Sequence, residues 1–237
     1  MTRVRIIGPG RAGGSFATAL AEVGWEVRPL LGRGDDFTDA ATDVDLVLIT
    51  TPDAVVGEVA AVIRPRAQAV VAHASGSLGL APLVGHDRIA VVHPLVALPD
   101  ALRGAARLLR GAWFGLAAGG DPVGEQLVAA LDGRSVVVAD ADWPRYHAAA
   151  AIAANHLVAL LGQVERVAAT IGAPLAAYLD LARGSLDDVA ELGPAAALTG
   201  PVRRGDLDTI ARHVAALPEG ERAAYLALSA EAARLCP

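Results

Sequence analysis

Hydrophobic positions along this chain follow two rhythms. Up to about residue 140 they gather into short apolar runs closed by polar, glycine-rich or proline-rich loops: 3–7, 25–31, 45–51, 67–72, 89–92, 113–117 and 135–139. Unbroken apolar runs of this length are what a parallel strand buried on both faces needs, because helices cover both sides of such a sheet. Residues 15–23, 56–63 and 123–131 read as covering helices. Beyond residue 142 no strand signal remains. Residues 144–171 read as one helix, about 40 Å long at the standard rise, ended by Gly172 and Pro174, and 174–183, 206–216 and 219–235 read as further helices. The pattern predicts an α/β fold with a Rossmann-type, mostly parallel sheet over residues 1–141, followed by an all-helical second domain over 142–237.

Composition narrows the function classes. With 54% hydrophobic and only 4% aromatic residues, the core is built from Ala, Val and Leu. The net charge is -6 with the basic residues scattered, so a nucleic-acid footprint is not expected. A membrane span is the competing reading of 144–171, but Asn155, His156, Gln163, Glu165 and Arg166 interrupt the apolar length a span needs. The chain enters a strand by Arg3 with no charged-then-apolar leader, and its single cysteine, Cys236, excludes an internal disulfide; both fit a cytoplasmic protein. All 20 basic residues are arginine. Without lysine, neither a Walker phosphate loop nor Schiff-base chemistry can operate.

The first strand runs directly into Gly8-Pro9-Gly10-Arg11-Ala12-Gly13 and then into a helix. A dinucleotide site needs those glycines for a tight turn, for close approach of a pyrophosphate and for helix-on-strand packing, with the phosphates held on free N–H groups at the helix start. About 20 residues on, where an NAD site usually places Asp or Glu, stands Leu30-Leu31-Gly32-Arg33. Arg33 suits the 2'-phosphate of NADP; the alternative is a ribose held by Asp35 or Asp36, which would suit NAD. Thr51 and Pro52 close the third apolar run and complete the expected cofactor wall.

Two histidines, His73 and His93, each follow a buried run, at the strand ends where open α/β sheets bind ligands. Either suits proton transfer, since imidazole titrates near neutral pH; either could instead satisfy loop backbone groups. Ser75, Gly76 and Ser77 supply hydroxyl and N–H donors to orient a substrate. A metal site is not expected, because the histidines lack close-spaced partners. Asn155, an amide among alanines in the long helix, is costly to bury unpartnered and suits a cleft wall; His147 lies eight residues before it, on roughly the same face, and His156 is better read as structural. Arg203 or Arg204 could clamp a carboxylate, or belong to a helix-entry turn capped by Asp206.

Taken in order, Gly8-Pro9-Gly10-Arg11-Ala12-Gly13, Thr51-Pro52-Asp53, the segment 73–77, His93-Pro94, Tyr146-His147, Ala154-Asn155 and Thr199-Gly200-Pro201 with Arg204-Gly205-Asp206 resemble a bacterial group of Rossmann-like proteins with a C-terminal domain of unknown function 2520. That group looks like a branch of the superfamily of hydroxyacid dehydrogenases, ketopantoate reductases and pyrroline-carboxylate reductases, and its members are usually labelled NADP oxidoreductases. The resemblance implies a nicotinamide cofactor in the N-terminal domain and a helical domain that completes the cleft and forms a homodimer. The His93-Pro94 step is also similar to prephenate dehydrogenases. One departure stands out. Hydroxyacid dehydrogenases and ketopantoate reductases carry a catalytic lysine one helical turn before the matching asparagine, and here that position is Ala151.

Two functions follow. One is NADP-dependent reduction of a small keto or imino acid, with a proton from His73 or His93 and orientation by Ser75, Asn155 and Arg204. The other is a non-catalytic dinucleotide sensor, which the alanine at 151 favours.

Overall fold

The structure, a computed structural model, describes residues 1–236. Its strands are β1 (Arg3–Ile7), β2 (Glu26–Val27), β3 (Leu46–Ile49), β4 (Val70–His73), β5 (Ile89–Pro94), β6 (Trp113–Ala117) and β7 (Arg134–Val138). They form one sheet in the order β2-β1-β3-β4-β5-β6-β7. All neighbours are parallel except β5 and β6, which pair antiparallel with His93 opposite Gly115. The chain leaves β1 to one side and returns to place β3 on the other, so the sheet has its switch point between β1 and β3, where such sheets open a crevice at their carboxyl ends.

Alternation along the strands divides the core. Val4, Ile6, Leu46, Leu48, Val70 and Ala72 face α1 (Arg11–Glu22) and α3 (Ala101–Leu108) through Phe16, Leu20 and Leu108. On the other face, Val47, Ile49 and Val71 meet Val56, Val59 and Ala60 of α2 (Val56–Val62). Helix α3 is absent from the sequence reading, because the segment 101–108 buries only Gly104, Ala105 and Leu108. Asp100 starts it by accepting the Arg103 N–H at 2.8 Å. The second predicted strand is shorter than expected: β2 has two residues, and only an isolated bridge from Leu31 to Ile7 continues it.

After α4 (Val123–Ala130) and β7 comes α5 (Trp143–Ala151). Trp143 is fully buried against Val91 and Val138, with Tyr146 beside it. These contacts tie α5 to the sheet, and the chain divides into two compact units, the first ending at Ala154. The helix predicted over 144–171 is interrupted: α5 passes through a π-helical turn at Ile152–His156 into α6 (Leu157–Ala169). By length and composition, Asp140–Ala169 is the one run among the described residues apolar enough to cross a membrane, with a mean hydropathy of 1.3 in its best window.

The second unit, from Asn155 onward, holds α6, α7 (Leu175–Leu192), the short α8 (Pro194–Ala197) and α9 (Gly200–Arg203), α10 (Leu207–Ala216) and α11 (Glu219–Ala233). Helix α7 runs past the predicted end at residue 183, carrying Gly184 in its interior and stopping at Gly193, whose φ is 79°. Arg166 of α6 donates to Glu221 of α11 at 2.6 Å, and Gln163 donates to the Glu221 carbonyl at 2.8 Å.

The first turn of the sheet sets a steric test. A Cβ on Gly13 would drive into the Gly8 carbonyl and the Thr50 hydroxyl, whereas one on Gly10 would meet nothing within 4 Å. Overpacking of this kind costs about 1–3 kcal/mol. Urea titration should therefore show Gly13→Ala losing about 2 kcal/mol or more, with Gly10→Ala within about 0.5 kcal/mol of the parent.

Candidate functional site

The glycine turn is held from two strands. Gly8 has a φ of 107°, a conformation that favours glycine. Its N–H donates to Leu31 O at 2.8 Å, and its carbonyl accepts from the Thr50 hydroxyl at 2.8 Å. Thr50, one residue before the expected pair Thr51 and Pro52, is therefore the clamp on the turn, a role visible only once β3 is known to lie beside β1. No side chain caps α1, whose N-cap is Gly10, so the N–H groups of its first turn, from Arg11 through Gly13, have no side-chain acceptor there. Gly8, Pro9, Gly10, Gly32, Arg33, Thr50, Thr51 and Pro52, with Ile7, Leu31, Phe37, Val55 and Val59 behind them, line a cleft of about 370 Å³.

Two observations fit a dinucleotide here. The Thr51 hydroxyl is buried and has no hydrogen-bond partner among the described residues, and buried polar groups are ordinarily satisfied. The second concerns the loop after Leu31. Asp35 accepts the Gly32 N–H at 2.7 Å, and Asp36 accepts the Thr38 N–H at 2.8 Å. Both carboxylates are spent on their own loop, and the Asp36 carboxyl is held below its usual range by the Thr38 hydrogen bonds. Arg33 lines the cleft, is exposed and makes no ion pair among the described residues. Arg11 and Ala12 lie at the start of α1, Arg11 exposed.

A second cluster lies at the ends of β4 and β5. His73 is fully buried; its Nε2 lies 2.9 Å from the Gly79 carbonyl, and the Ser75 N–H donates to its Nδ1 at 3.2 Å. Acceptance at Nδ1 requires the neutral tautomer with Nε2–H donating to Gly79, and burial holds the ring's pKa down. Both nitrogens are thus hydrogen-bonded to the backbone of the loop 74–79, the second of the two roles the sequence left open for His73.

His93 is different. Its Nδ1 pairs with the Tyr146 hydroxyl at 2.8 Å, and its Nε2 has no partner among the described residues. The ring stands edge-on to Tyr146 at 5.5 Å and to His147 at 5.9 Å. Gly76 makes room for this group, since a Cβ there would lie 2.6 Å from His93 Nε2 and 2.8 Å from His147 Cδ2. Burial first, then His147, pushes the His93 pKa down to about 4. Burial pushes Tyr146 up to about 12, partly opposed by the Gly115 N–H.

Beside it, the hydroxyls of Ser75 and Ser77 lie 3.4 Å apart; the Ser77 N–H donates to Ser75 Oγ, and the Ser77 hydroxyl donates to Asp53 at 2.5 Å. Asp53 follows Thr51-Pro52, so this carboxylate links the cleft wall to the histidine loop. Sequence reasoning missed Asp53 and Tyr146 as site residues. Their signal was present in Thr51-Pro52-Asp53 and Tyr146-His147, but nothing in the spacing showed that β5 and α5 meet.

Asn155 and Arg204 belong to the second unit. Asn155 sits exposed in the π-helical turn, a type of irregularity that favours functional positions. Arg204 is exposed, ends α9 and makes no ion pair among the described residues. Asp206 caps α10 by accepting the Thr209 N–H at 2.9 Å. Among the described residues no group of three or more His, Cys, Asp or Glu could hold a metal ion.

Residues 115–232 match the family described as Domain of unknown function (DUF2520). The match begins inside β6, so it takes in the last strands of the sheet and α5 as well as the helical unit. No curated protein matches the chain. Among solved structures, a Bacteroides fragilis protein provisionally called an NADP oxidoreductase is 19% identical, with 98% of each chain covered and a TM-score of 0.78. A Thermotoga maritima protein is 23% identical over 98% of each chain, at a TM-score of 0.73. A reductive aminase from Aspergillus terreus, in complex with NADPH and ethyl levulinate, is 16% identical, covering 99% of this chain and 93% of its own, at a TM-score of 0.73. At these identities the likeness establishes the fold: a Rossmann-type, mostly parallel sheet with an added helical part.

The His93 environment predicts a pH dependence. Its folded pKa, about 4, lies below the ordinary imidazole value of 6.5, so the unfolded chain binds more protons between them. The contribution to stability is complete above about pH 6.5 and is lost as pH falls toward 4. NMR titration of the His93 ring should show it neutral at pH 5.5, and Tyr146→Phe, which leaves Nδ1 unpaired, should cost about 1 kcal/mol at pH 7.

Proposed function

The chain is a Rossmann-type protein that carries the domain of unknown function 2520 over residues 115–232, and on that premise we propose that it is an NADP-dependent oxidoreductase, moving a hydride between NADPH and a small keto, imino or hydroxy acid. The observation that carries this reading is the cleft of about 370 Å³ at the β1–β3 switch point, with its glycine turn, its unpartnered Thr51 hydroxyl and an unpaired Arg33 at the rim. Gly8, Gly10 and Gly13 bring backbone close enough to hold a pyrophosphate at the start of α1, with Pro9, Arg11 and Ala12 shaping the same turn. Arg33 takes the 2'-phosphate, and Thr51 and Pro52 form the opposite wall. When bound, the reduced nicotinamide supplies the hydride.

For the substrate, His93 is assigned the direct contact. At neutral pH it is an uncharged imidazole held through Nδ1 by Tyr146, so its Nε2 can orient a substrate through a hydrogen bond or accept a proton in the oxidative direction. His73 is assigned a supporting role, fixing the loop that presents Ser75, Gly76 and Ser77. Asn155 and Arg204 remain the substrate-orienting groups proposed for the second unit, since each presents an exposed side chain without a hydrogen-bond partner among the described residues.

Calorimetry and absorbance assays test the reading together. NADPH should bind and NADH bind more weakly. Arg33→Ala should weaken NADPH by roughly 10- to 100-fold, the worth of a charge-assisted hydrogen bond, with little effect on NADH. A panel of 2-keto acids and cyclic imines should oxidise NADPH, and His93→Ala should lower kcat at unchanged cofactor affinity. Tight NADPH binding without turnover of any substrate would instead favour the sensor, the reading that Ala151 supports.

The helical unit supports a homodimer. Val158, Leu181 and Leu186 are 70%, 68% and 53% exposed, and among the described residues of this unit only Ala168 is buried. Apolar faces of this kind mark an interface. Sedimentation equilibrium should give the mass of two chains, and the double variant Leu181→Glu, Leu186→Glu the mass of one.

A further inference from the structure

We propose that Asp53 is a positioning residue that ties His93 to the occupancy of the cofactor cleft: through the Ser77 hydroxyl it holds the loop whose Gly76 packs on the His93 ring. The inference rests on the dinucleotide reading of the cleft and is independent of whether hydride is transferred.

Three observations place Asp53 between the two sites. The first is the turn it belongs to. Asp53 opens a short 3-10 turn (Asp53–Val55), closed by the Val55 N–H donating to the Pro52 carbonyl at 3.0 Å. Thr51, Pro52 and Val55 all line the cleft, so cleft walls stand on both sides of Asp53 in the chain. The second is the attachment of the loop. Ser77 donates its hydroxyl to Asp53 at 2.5 Å and its N–H to Ser75 Oγ at 3.2 Å. The Ser75 N–H donates to His73 Nδ1 at 3.2 Å, and His73 Nε2 reaches the Gly79 carbonyl at 2.9 Å. Residues 73–79 are thus knitted into one piece. Between Ser75 and Gly79, the bond to Asp53 is the single hydrogen bond among the described residues that leaves this piece. A hydroxyl donating to a carboxylate is of the stronger, charge-assisted kind.

The third observation is how closely the loop meets the ring. A Cβ on Gly76 would lie 2.6 Å from His93 Nε2 and 2.7 Å from its Cε1, with His147 Cδ2 at 2.8 Å. In packing this close, any displacement of the loop alters the surroundings of Nε2, the nitrogen without a partner among the described residues. A ligand that satisfies the buried Thr51 hydroxyl and rests against Pro52 and Val55 fixes the turn from the cleft side. Asp53 passes that constraint to Ser77, and Gly76 passes it to His93. Occupancy of the cleft and placement of the imidazole are then coupled, and the coupling runs in both directions.

The test uses the full chain and a probe without a nicotinamide ring, 2'-phospho-ADP-ribose, so that no nicotinamide can act on His93 directly. The His93 Cε1–H signal, identified by its loss in His93→Ala, is followed by NMR as the probe is added. Saturation should shift the signal in the parent. Asp53→Ala and Ser77→Ala cut the same bond from its two ends; each should still bind the probe and lose the shift, and the double variant should differ little from either. Asp53→Asn, whose amide oxygen can still accept the Ser77 hydroxyl, should retain it. A merely structural role for Asp53 would move the His93 signal in the free protein and leave the probe-induced shift in place. A shift that survives in Asp53→Ala or in Ser77→Ala, or a parent that binds the probe with no shift at all, overturns the coupling and leaves the dinucleotide cleft standing. A parent that binds neither the probe nor NADPH overturns the dinucleotide reading, and the coupling falls with it.

Discussion

The close approach of β1, α1 and β3 at three small groups is the constraint on which the molecule depends. Gly8 turns the chain with a positive φ, Gly13 presses the helix against the Gly8 carbonyl, and the Thr50 hydroxyl of the neighbouring strand accepts no compromise in either. Remove the room at Gly13 and the helix must lift from the strand, which would break the continuity of the apolar face formed by Val4, Ile6, Phe16 and Leu20. The same closeness leaves the start of α1 without side-chain caps and opens the cleft. Stability and the shape of the cleft are therefore consequences of one packing event.

The sheet was legible in the sequence because burial on both faces leaves no room for polar residues within a strand: the segment 46–49 is apolar at every position and buried at every position. The glycine spacing likewise located the cleft, since the steric demands of the turn are local. Residues whose positions depend on distant segments were not legible. Helix α3 is hidden because its buried face is Gly104, Ala105 and Leu108, too small and too few to produce a period. The end of α7 was misjudged because a glycine inside a helix reads locally as a stop, although tertiary context overrides that cost of about 1 kcal/mol.

The candidate site divides in the same way. His73 and His93 look alike in sequence, each a histidine at the end of an apolar run, yet the fold spends one on the backbone and leaves the other with a nitrogen that has no partner among the described residues. The deciding partners, Gly79 for one and Tyr146 for the other, are 6 and 53 residues away. Trp143 and Tyr146 likewise look in the sequence like the opening of a helical domain, but their rings fill space against Val91 and Val138.

The reversal of β6 has an outcome of its own. Because β6 and β7 run against β5, the chain leaves the sheet at the end opposite the carboxyl ends of β1, β3, β4 and β5. Helix α5 must then travel back across the strands, passing Val91 at Trp143 and reaching His93 at Tyr146 and His147. That return path works as a ruler: each residue advances it by about 1.5 Å and swings it by about 100°. A single insertion within the helix between Trp143 and Tyr146 would rotate the phenol off the imidazole. Length conservation between β7 and Tyr146, more than identity, should trace this arrangement through its evolutionary history.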